Sequence, residues 1–331
     1  KIMTESVRLV LADPEVHLGI VWLQLMHGYA NLLVDVFREI KAHATKPFLV
    51  CWLEAPEQAL TALRDAGICV IDGTERVVDA AAGLVAFGEA RQRITAAPLP
   101  AFPKTAPLPD DVGPVPSVEA WQRLKASGLP LVDCALAADA EAAVVAAEGI
   151  GFPVAVKIES PDILHKMDIG GVELGLGDAD AVKVAAGNII QNAVTRAPEA
   201  RVDGLLVQAM APARTELVLG LRHDPAFGPV LMVGLGGIFV EALKDVVFAQ
   251  APLSSDDAEL MFDQLTGKAV LDGVRGQPAV DKRALIDTLC VLSDFAVENP
   301  DVVELDLNPV FAGPDGTLAV DWLMMSTNGR I

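Results

Sequence analysis

The apolar positions of this chain change period several times, and each change marks an element. Leu33, Val36, Phe37 and Ile40 share one face of a helix expected over Ala30–His43. On either side, Leu18–Leu25 and Pro47–Leu53 are nearly continuous apolar runs of strand length. Thr4–Leu11 has helical spacing. Pro56–Asp65 opens with proline at a helix start and closes at Gly67. Ile68–Ile71 is short and β-branched, and Asp72 or Thr74 caps a helix ending near Glu89. Strands alternating with helices imply a parallel sheet covered on both faces, a small flavodoxin-like α/β unit over residues 1–94. It contains neither a GxGxxG fingerprint nor a Walker A sequence, so on its own it shows no chemistry. His17, His27 and His43 read as packing or surface residues.

A different pattern begins at Ser117, which caps a helix expected over Val118–Ala126. Leu131–Ala135 reads as a strand, and Asp139 caps an alanine-rich helix that ends at Gly149–Gly151. Pro153–Ile158 is a β run carrying one lysine. After it come strand Gly171–Leu176, helix Asp178–Thr195, and strands Gly204–Met210, Glu216–Leu221, Val230–Val233 and Asp245–Gln250. Helices over Ser255–Leu265 and Asp281–Glu298 precede strands Val302–Val310 and Leu318–Asp321. The close spacing of these later strands predicts antiparallel pairing, hence α+β rather than repeated βαβ units.

Seven prolines fall in the 22 residues from Thr95 to Pro116. Proline fixes the backbone and removes donors, so this stretch is expected to be an extended linker over 95–116, leaving 117–331 as the second domain. Composition agrees with two cores: of 331 residues, 52% are hydrophobic and 21% charged. The formal charge of −20 argues against a nucleic-acid partner, which needs a basic footprint. The charge-free window Val16–Val34 is broken by His17, Gly19, Gln24, His27, Gly28 and Asn31, so no membrane span is expected. Cys51, Cys69, Cys134 and Cys290 are isolated, without metal-ligand spacing, and no signal peptide is seen, which suits the cytoplasm. Because the chain starts at Lys1 rather than Met, upstream sequence is expected to be missing.

Four places hold polar residues that a core would not choose. Lys157 lies inside an apolar strand, and a buried ammonium wants an anion. His165–Lys166–Met167–Asp168 precedes Gly170–Gly171 and a strand. Glycine amides and Lys166 suit a phosphate, Asp168 can orient an imidazole, and a neutral imidazole can accept a phosphoryl group. Gly234–Leu235–Gly236–Gly237 is a glycine-rich connection with Glu216, Arg222, His223 and Asp224 upstream and Glu241 and Lys244 downstream. Finally, Glu304, Asp306 and Asn308 alternate onto one strand face and Asp321 returns on the next strand, a hard-oxygen set suited to Mg²⁺ with nucleotide phosphates. Each also has an ordinary explanation: a snorkelling edge lysine, a polar turn, a glycine hinge and a solvated strand face.

Taken in order, these features resemble an ATP-grasp nucleotide-binding fold of two subdomains. The stretch Phe152–Val172 with HKMDIGGV resembles the NDP-forming acyl-CoA synthetases, meaning ADP-forming acetyl-CoA synthetase and relatives of succinyl-CoA synthetase. So do GLRHDPAFGPVLMVGLGGIFVEALKDVVFAQAPL and ELDLNPV. The likeness is good from Ser117 to about Trp322 and looser over Leu9–Arg91, which looks like the ligase-CoA-type domain of fused members.

The resemblance implies an acid–thiol ligase in which phosphoryl passes between ATP or ADP and a phosphohistidine, coupled to acyl-CoA formation or cleavage. His165 matches the phosphohistidine, and Lys157 the phosphate-touching lysine. Gln208, Ala209 and Met210 match the adenine hinge, acting mainly through backbone, and Glu216 the acid that bonds ribose. Asn308 and Asp321 match the Mg²⁺ ligands, with Asp306 as helper. Arg222 and Gly236–Gly237 are candidates near the phosphates. Met167 stands where the common loop has a small polar residue, and Asp306 where a succinyl-type enzyme has Glu; neither change removes chemistry. No CoA-binding Rossmann domain or second phosphohistidine domain is found, so CoA is expected to come through domains upstream or on a separate subunit. Homo- or hetero-oligomerisation stays open. Two other functions stay open as well. One is an ATP-grasp carboxylate–amine ligase without phosphohistidine; the other is a catalytically silent ATP-binding regulatory or docking module.

Overall fold

The computed structural model describes residues 2–96, 112–163, 165–212, 214–237, 244–274, 276 and 278–327. The chain divides into two compact units, residues 1–100 and 101–331. In the first, α1 (Ile2–Ala12), β1 (Gly19–Gln24), α2 (Ala30–His43), β2 (Phe48–Leu53), α3 (Glu57–Asp65), β3 (Val70–Ile71) and α4 (Thr74–Ala96) follow in order. The strands pair in parallel as β1–β2–β3. Phe37, Val50, Trp52 and Leu63 close one face of this sheet, and on the other Leu49 and Cys51 meet Val77 and Ala81 of α4. Ile20 and Trp22 of β1 remain exposed, so the expected double covering holds over β2 and not over β1. Helix α4 runs past the expected end near Glu89 because nothing in its sequence breaks it before Pro98. Most of the proline-rich stretch, residues 97–111, lies outside the described residues.

The second unit has two sheets. The smaller is antiparallel in the order β5–β8–β6–β7, with β5 at Cys134–Ala137, β6 at Val154–Glu159, β7 at Val172–Leu176 and β8 at Gly204–Ala209. Helices α6 (Ala140–Ile150) and α7 (Ala179–Arg196) cover one face of it. Asp139 and Asp178 cap them, accepting from the amides of Ala142 and Ala181. Val154, Val156 and Ile158 point to these helices, and strand alternation therefore turns Ala155, Lys157 and Glu159 the other way.

The larger sheet is antiparallel and runs β11–β10–β9–β12–β14–β4, with β13 (Gly316–Ala319) paired to β12. Its strands are β4 (Gly113–Pro114), β9 (Thr215–Asp224), β10 (Gly228–Leu235), β11 (Val246–Gln250), β12 (Val302–Gly313) and β14 (Trp322–Ser326). Thus the last part of the expected linker is an edge strand, where a proline without N–H is tolerated. Helices α5 (Ser117–Ala126), α8 (Ser255–Gln264) and α9 (Lys282–Glu298) pack on Leu219, Leu221, Leu305 and Leu307 of the sheet. The opposite face carries Arg222 across from Glu304 and Gly220 across from Asp306. A register shift between Leu307 and Val310 marks a bulge at Asn308–Pro309, which lifts Asn308 out of the ladder. Strand β5 begins later than the expected Leu131, because Leu131 and Val132 instead join the larger core. There Leu131 bridges Ala319 and the Val132 amide donates to Ala319 O.

Candidate functional site

The helix-free faces of the two sheets enclose a cleft of about 610 Å³. One wall is β6 and β8, with Lys157, Glu159 and Gln208; the other is β12 and the start of β14, with Asp306, Asn308 and Asp321. The loop from His165 to Asp168 forms part of the rim.

Lys157 is only 7% exposed, and its Nζ lies 3.0 Å from Asp321 Oδ1, a bond that joins the two sheets. The Asn308 amide donates to Asp321 O at 3.2 Å, so the bulge and the turn before β14 hold each other. Burial raises the Asp306 carboxyl above its ordinary range, and the charges of Glu304 and Asp321 push the same way, while a hydrogen bond with Asn308 opposes them. Carboxylates that crowd each other in this way fit a cation. Among the described residues no three His, Cys, Asp or Glu side chains form a complete metal site. Asp306, Asn308 and Asp321 therefore make a partial hard-oxygen set, of the kind that phosphate oxygens complete.

The three expected hinge residues, Gln208, Ala209 and Met210, all line the cleft. The amides of Ala209 and Met210 donate to Asp133 O and Pro153 O, so these two N–H groups are already used. The Gln208 side chain is 2% exposed, lines the cleft, and its Nε2 has no partner. A buried orphan donor in a cleft wall fits a ligand acceptor.

His165 is exposed at the rim, in a turn closed by Asp168 N–H to His165 O, Gly170 N–H to Met167 O and Gly171 N–H to Lys166 O. The Asn192 side chain fastens the turn by donating to Gly170 O at 3.0 Å. A Cβ on Gly171 would sit 2.7 Å from Ile158 Cγ2 and 2.9 Å from Lys166 O. Gly171 thus has a steric reason of its own. Gly171→Ala is expected to cost about 1–3 kcal/mol in urea unfolding, as overpacking does. Gly187→Ala, in α7 with nothing within 4 Å, is the contrasting substitution and should be neutral or stabilising.

The remaining sequence candidates lie apart. Glu216 meets the Gly236–Gly237 turn, where the Gly236 amide donates to Glu216 O at 2.7 Å and a Cβ on Gly236 would reach Glu216 Cβ at 2.7 Å. Arg222 is six residues along β9, about 20 Å away at strand rise. Neither lines the cleft. His223 Nδ1 bonds Val302 O, and Asp224 accepts from the amides of Ala226 and Phe227, so both are structural. Glu241 lies outside the described residues. Sequence reasoning missed Glu159 and Arg201, both on the cleft. Glu159 could have been found: it follows Lys157 by two on one strand, hence on one face.

The ATP-grasp domain family matches residues 114–325. The β subunit of ADP-forming acetate–CoA ligase I of Pyrococcus furiosus is 40% identical over 212 residues, covering 64% of this chain and 91% of that one. ADP-forming acetate–CoA ligase I of Archaeoglobus fulgidus is 39% identical over 213 residues, 64% of this chain but only 31% of the relative. The chain therefore spans about a third of that longer protein. Among solved structures, dinucleotide-forming acetyl-coenzyme A synthetase 1 of Ca. Korarchaeum cryptofilum, with coenzyme A and Ca-AMPCP, superposes with a TM-score of 0.63 at 42% identity. The superposition covers 65% of this chain and 93% of that one. The same enzyme is known with coenzyme A and Mg-AMPPCP, its phosphohistidine segment pointing towards the nucleotide binding site.

Proposed function

This chain belongs to the ATP-grasp family, as a homologue of the β subunits of ADP-forming acetate–CoA ligases, and from that membership we propose that it moves a phosphoryl group between ATP and His165. The observation that supports this most is the meeting of His165, Lys157, Asn308 and Asp321 on one cleft. An imidazole nitrogen of His165 attacks the γ-phosphorus, the bond to the bridging oxygen breaks, and ADP leaves with that electron pair. The other ring nitrogen keeps its proton, and we assign Asp168, in the same turn, to hold it. Lys157 and Lys166 offset charge on the transferring group. Gln208 orients the base. We assign Asp306, Asn308 and Asp321 to Mg²⁺, which when bound would neutralise the phosphates.

In the whole enzyme this step is coupled to making or cleaving an acyl-CoA thioester. CoA and the second phosphohistidine reside on domains outside this chain, in cis upstream or on a separate subunit. We read residues 1–94 as a flavodoxin-like ligase-CoA-type domain, on the parallel sheet of the first unit. No described helix is long and apolar enough to cross a membrane, and the four cysteines are free, which suits the cytoplasm we propose. The test is incubation with γ-labelled ATP and Mg²⁺. Acid-labile, base-stable protein label and ADP–ATP exchange are expected. Calorimetric binding of ATP with neither label nor exchange would overturn the proposal in favour of a silent module.

A further inference from the structure

Glu159 ends β6 with its carboxylate in the cleft wall and is only 6% exposed. Buried carboxylates are retained where donors satisfy them, and three donors converge here. The Ser117 amide and hydroxyl each approach at 2.7 Å, and Lys166 Nζ at 3.0 Å. These donors come from different parts of the unit: Ser117 opens α5, which packs in the core of the larger sheet, and Lys166 follows His165. The Ser117 carbonyl in turn accepts from Trp322 Nε1 at 2.9 Å, and Trp322 follows Asp321, the partner of Lys157. A continuous polar connection therefore runs from the histidine loop, through Glu159 and Ser117, to the acidic wall opposite.

We propose that Glu159 is a positioning residue, which by pairing with Lys166 holds the His165 turn over the cleft and ties its place to the larger sheet. The Ser117 bonds fix the carboxylate, so Lys166 meets a stationary partner. Among the described residues the turn is otherwise held by its own backbone bonds, by the Ile158 amide donating to Gly171 O at 2.7 Å and by Asn192 on the far side, none of which reaches the opposite wall. The inference rests on the phosphohistidine reading for its purpose, but not for its structural content.

The experiment compares Glu159→Gln, Lys166→Met, Lys166→Arg and the double variant Glu159→Gln/Lys166→Met in the full chain. Glutamine still accepts from the Ser117 amide and can donate to its hydroxyl, so the tie to α5 survives while the ion pair is lost. Amide hydrogen exchange over 165–171 should quicken about tenfold in Glu159→Gln, the loss of one charge-assisted hydrogen bond. It should quicken no further in the double variant and stay slow in Lys166→Arg, which keeps the pair. His165 labelling by ATP should slow about tenfold in Glu159→Gln. The Kd for Mg-AMPPCP in Glu159→Gln should not weaken, because the substitution removes a negative charge from the cleft, and slower labelling at unweakened affinity is a split that general misfolding would not give. Unchanged exchange in Glu159→Gln, or additive effects in the double variant, would overturn the proposal. If the wild-type chain takes no label, the phosphohistidine reading fails, while the exchange data still decide whether Glu159 holds the turn.

Discussion

Replacing His165 by alanine is expected to remove the acid-labile label entirely, a fall of at least about a thousandfold, while ATP still binds. The size follows from the chemistry: the other nitrogen in the turn able to form an acid-labile phosphoramidate is Lys166 Nζ, which is engaged by Glu159 at 3.0 Å, and a lost nucleophile is not compensated by its surroundings. Folding should hardly change. The imidazole is exposed, and the turn is closed by backbone bonds and by Asn192, so surface truncation should stay within about 0.5 kcal/mol. Nucleotide affinity should persist as well, because Lys157 and Gln208 sit on the walls rather than the rim. The measurements are γ-label incorporation, with its stability in acid and base, beside calorimetric Mg-AMPPCP binding. Label undiminished in His165→Ala would place the phosphoryl group elsewhere and sink the assignment. ATP turnover with a carboxylate and an amine that survived the substitution would favour the carboxylate–amine ligase instead.

The parts of this site legible in the sequence are those where one residue violates its own neighbourhood. Lys157 is charged inside a run of Val and Ile, and Asp306 and Asn308 interrupt leucines with a period of two, so each signalled a cleft before any fold was known. Helix ends were legible for a local reason too, since Asp139 and Asp178 bond amides three residues away. What was hidden is non-local. The face of Glu159 was legible from Lys157 two residues before it, but its partner was not: Ser117, 42 positions away, makes it a buried acceptor. Leu131 and Val132 look like a strand of the smaller sheet, but their apolar surface is buried in the larger core. Glu216 and Arg222 are near in sequence, yet an extended strand carries them to opposite ends. Strand β14, Trp322–Ser326, lacks the β-branched signal, and pairing with β12 and β4 decides it instead.

Lys157→Met should slow His165 labelling by about a hundred- to a thousandfold, the usual loss when one preorganised charge at a reacting oxygen is removed. Methionine fills the aliphatic stem, so the change isolates the ammonium. Its loss also releases Asp321, which is half exposed and can turn to water, so the stability cost is far below that of stranding a fully buried charge. Two effects then compete at the phosphates. Removal of Lys157 subtracts one positive charge from a cleft that already holds Glu159, Asp306 and Asp321. It also frees Asp321 for Mg²⁺, which would partly restore nucleotide affinity. We expect the rate to fall much more than the affinity, because charge built up during transfer depends on a fixed neighbour and bound nucleotide can recruit metal. The Kd for Mg-AMPPCP and the single-turnover labelling rate separate the two. A variant that bound the nucleotide a hundredfold more weakly but labelled at the wild-type rate when saturated would make Lys157 a binding residue only. One that labelled at the wild-type rate and bound normally would remove it from the site.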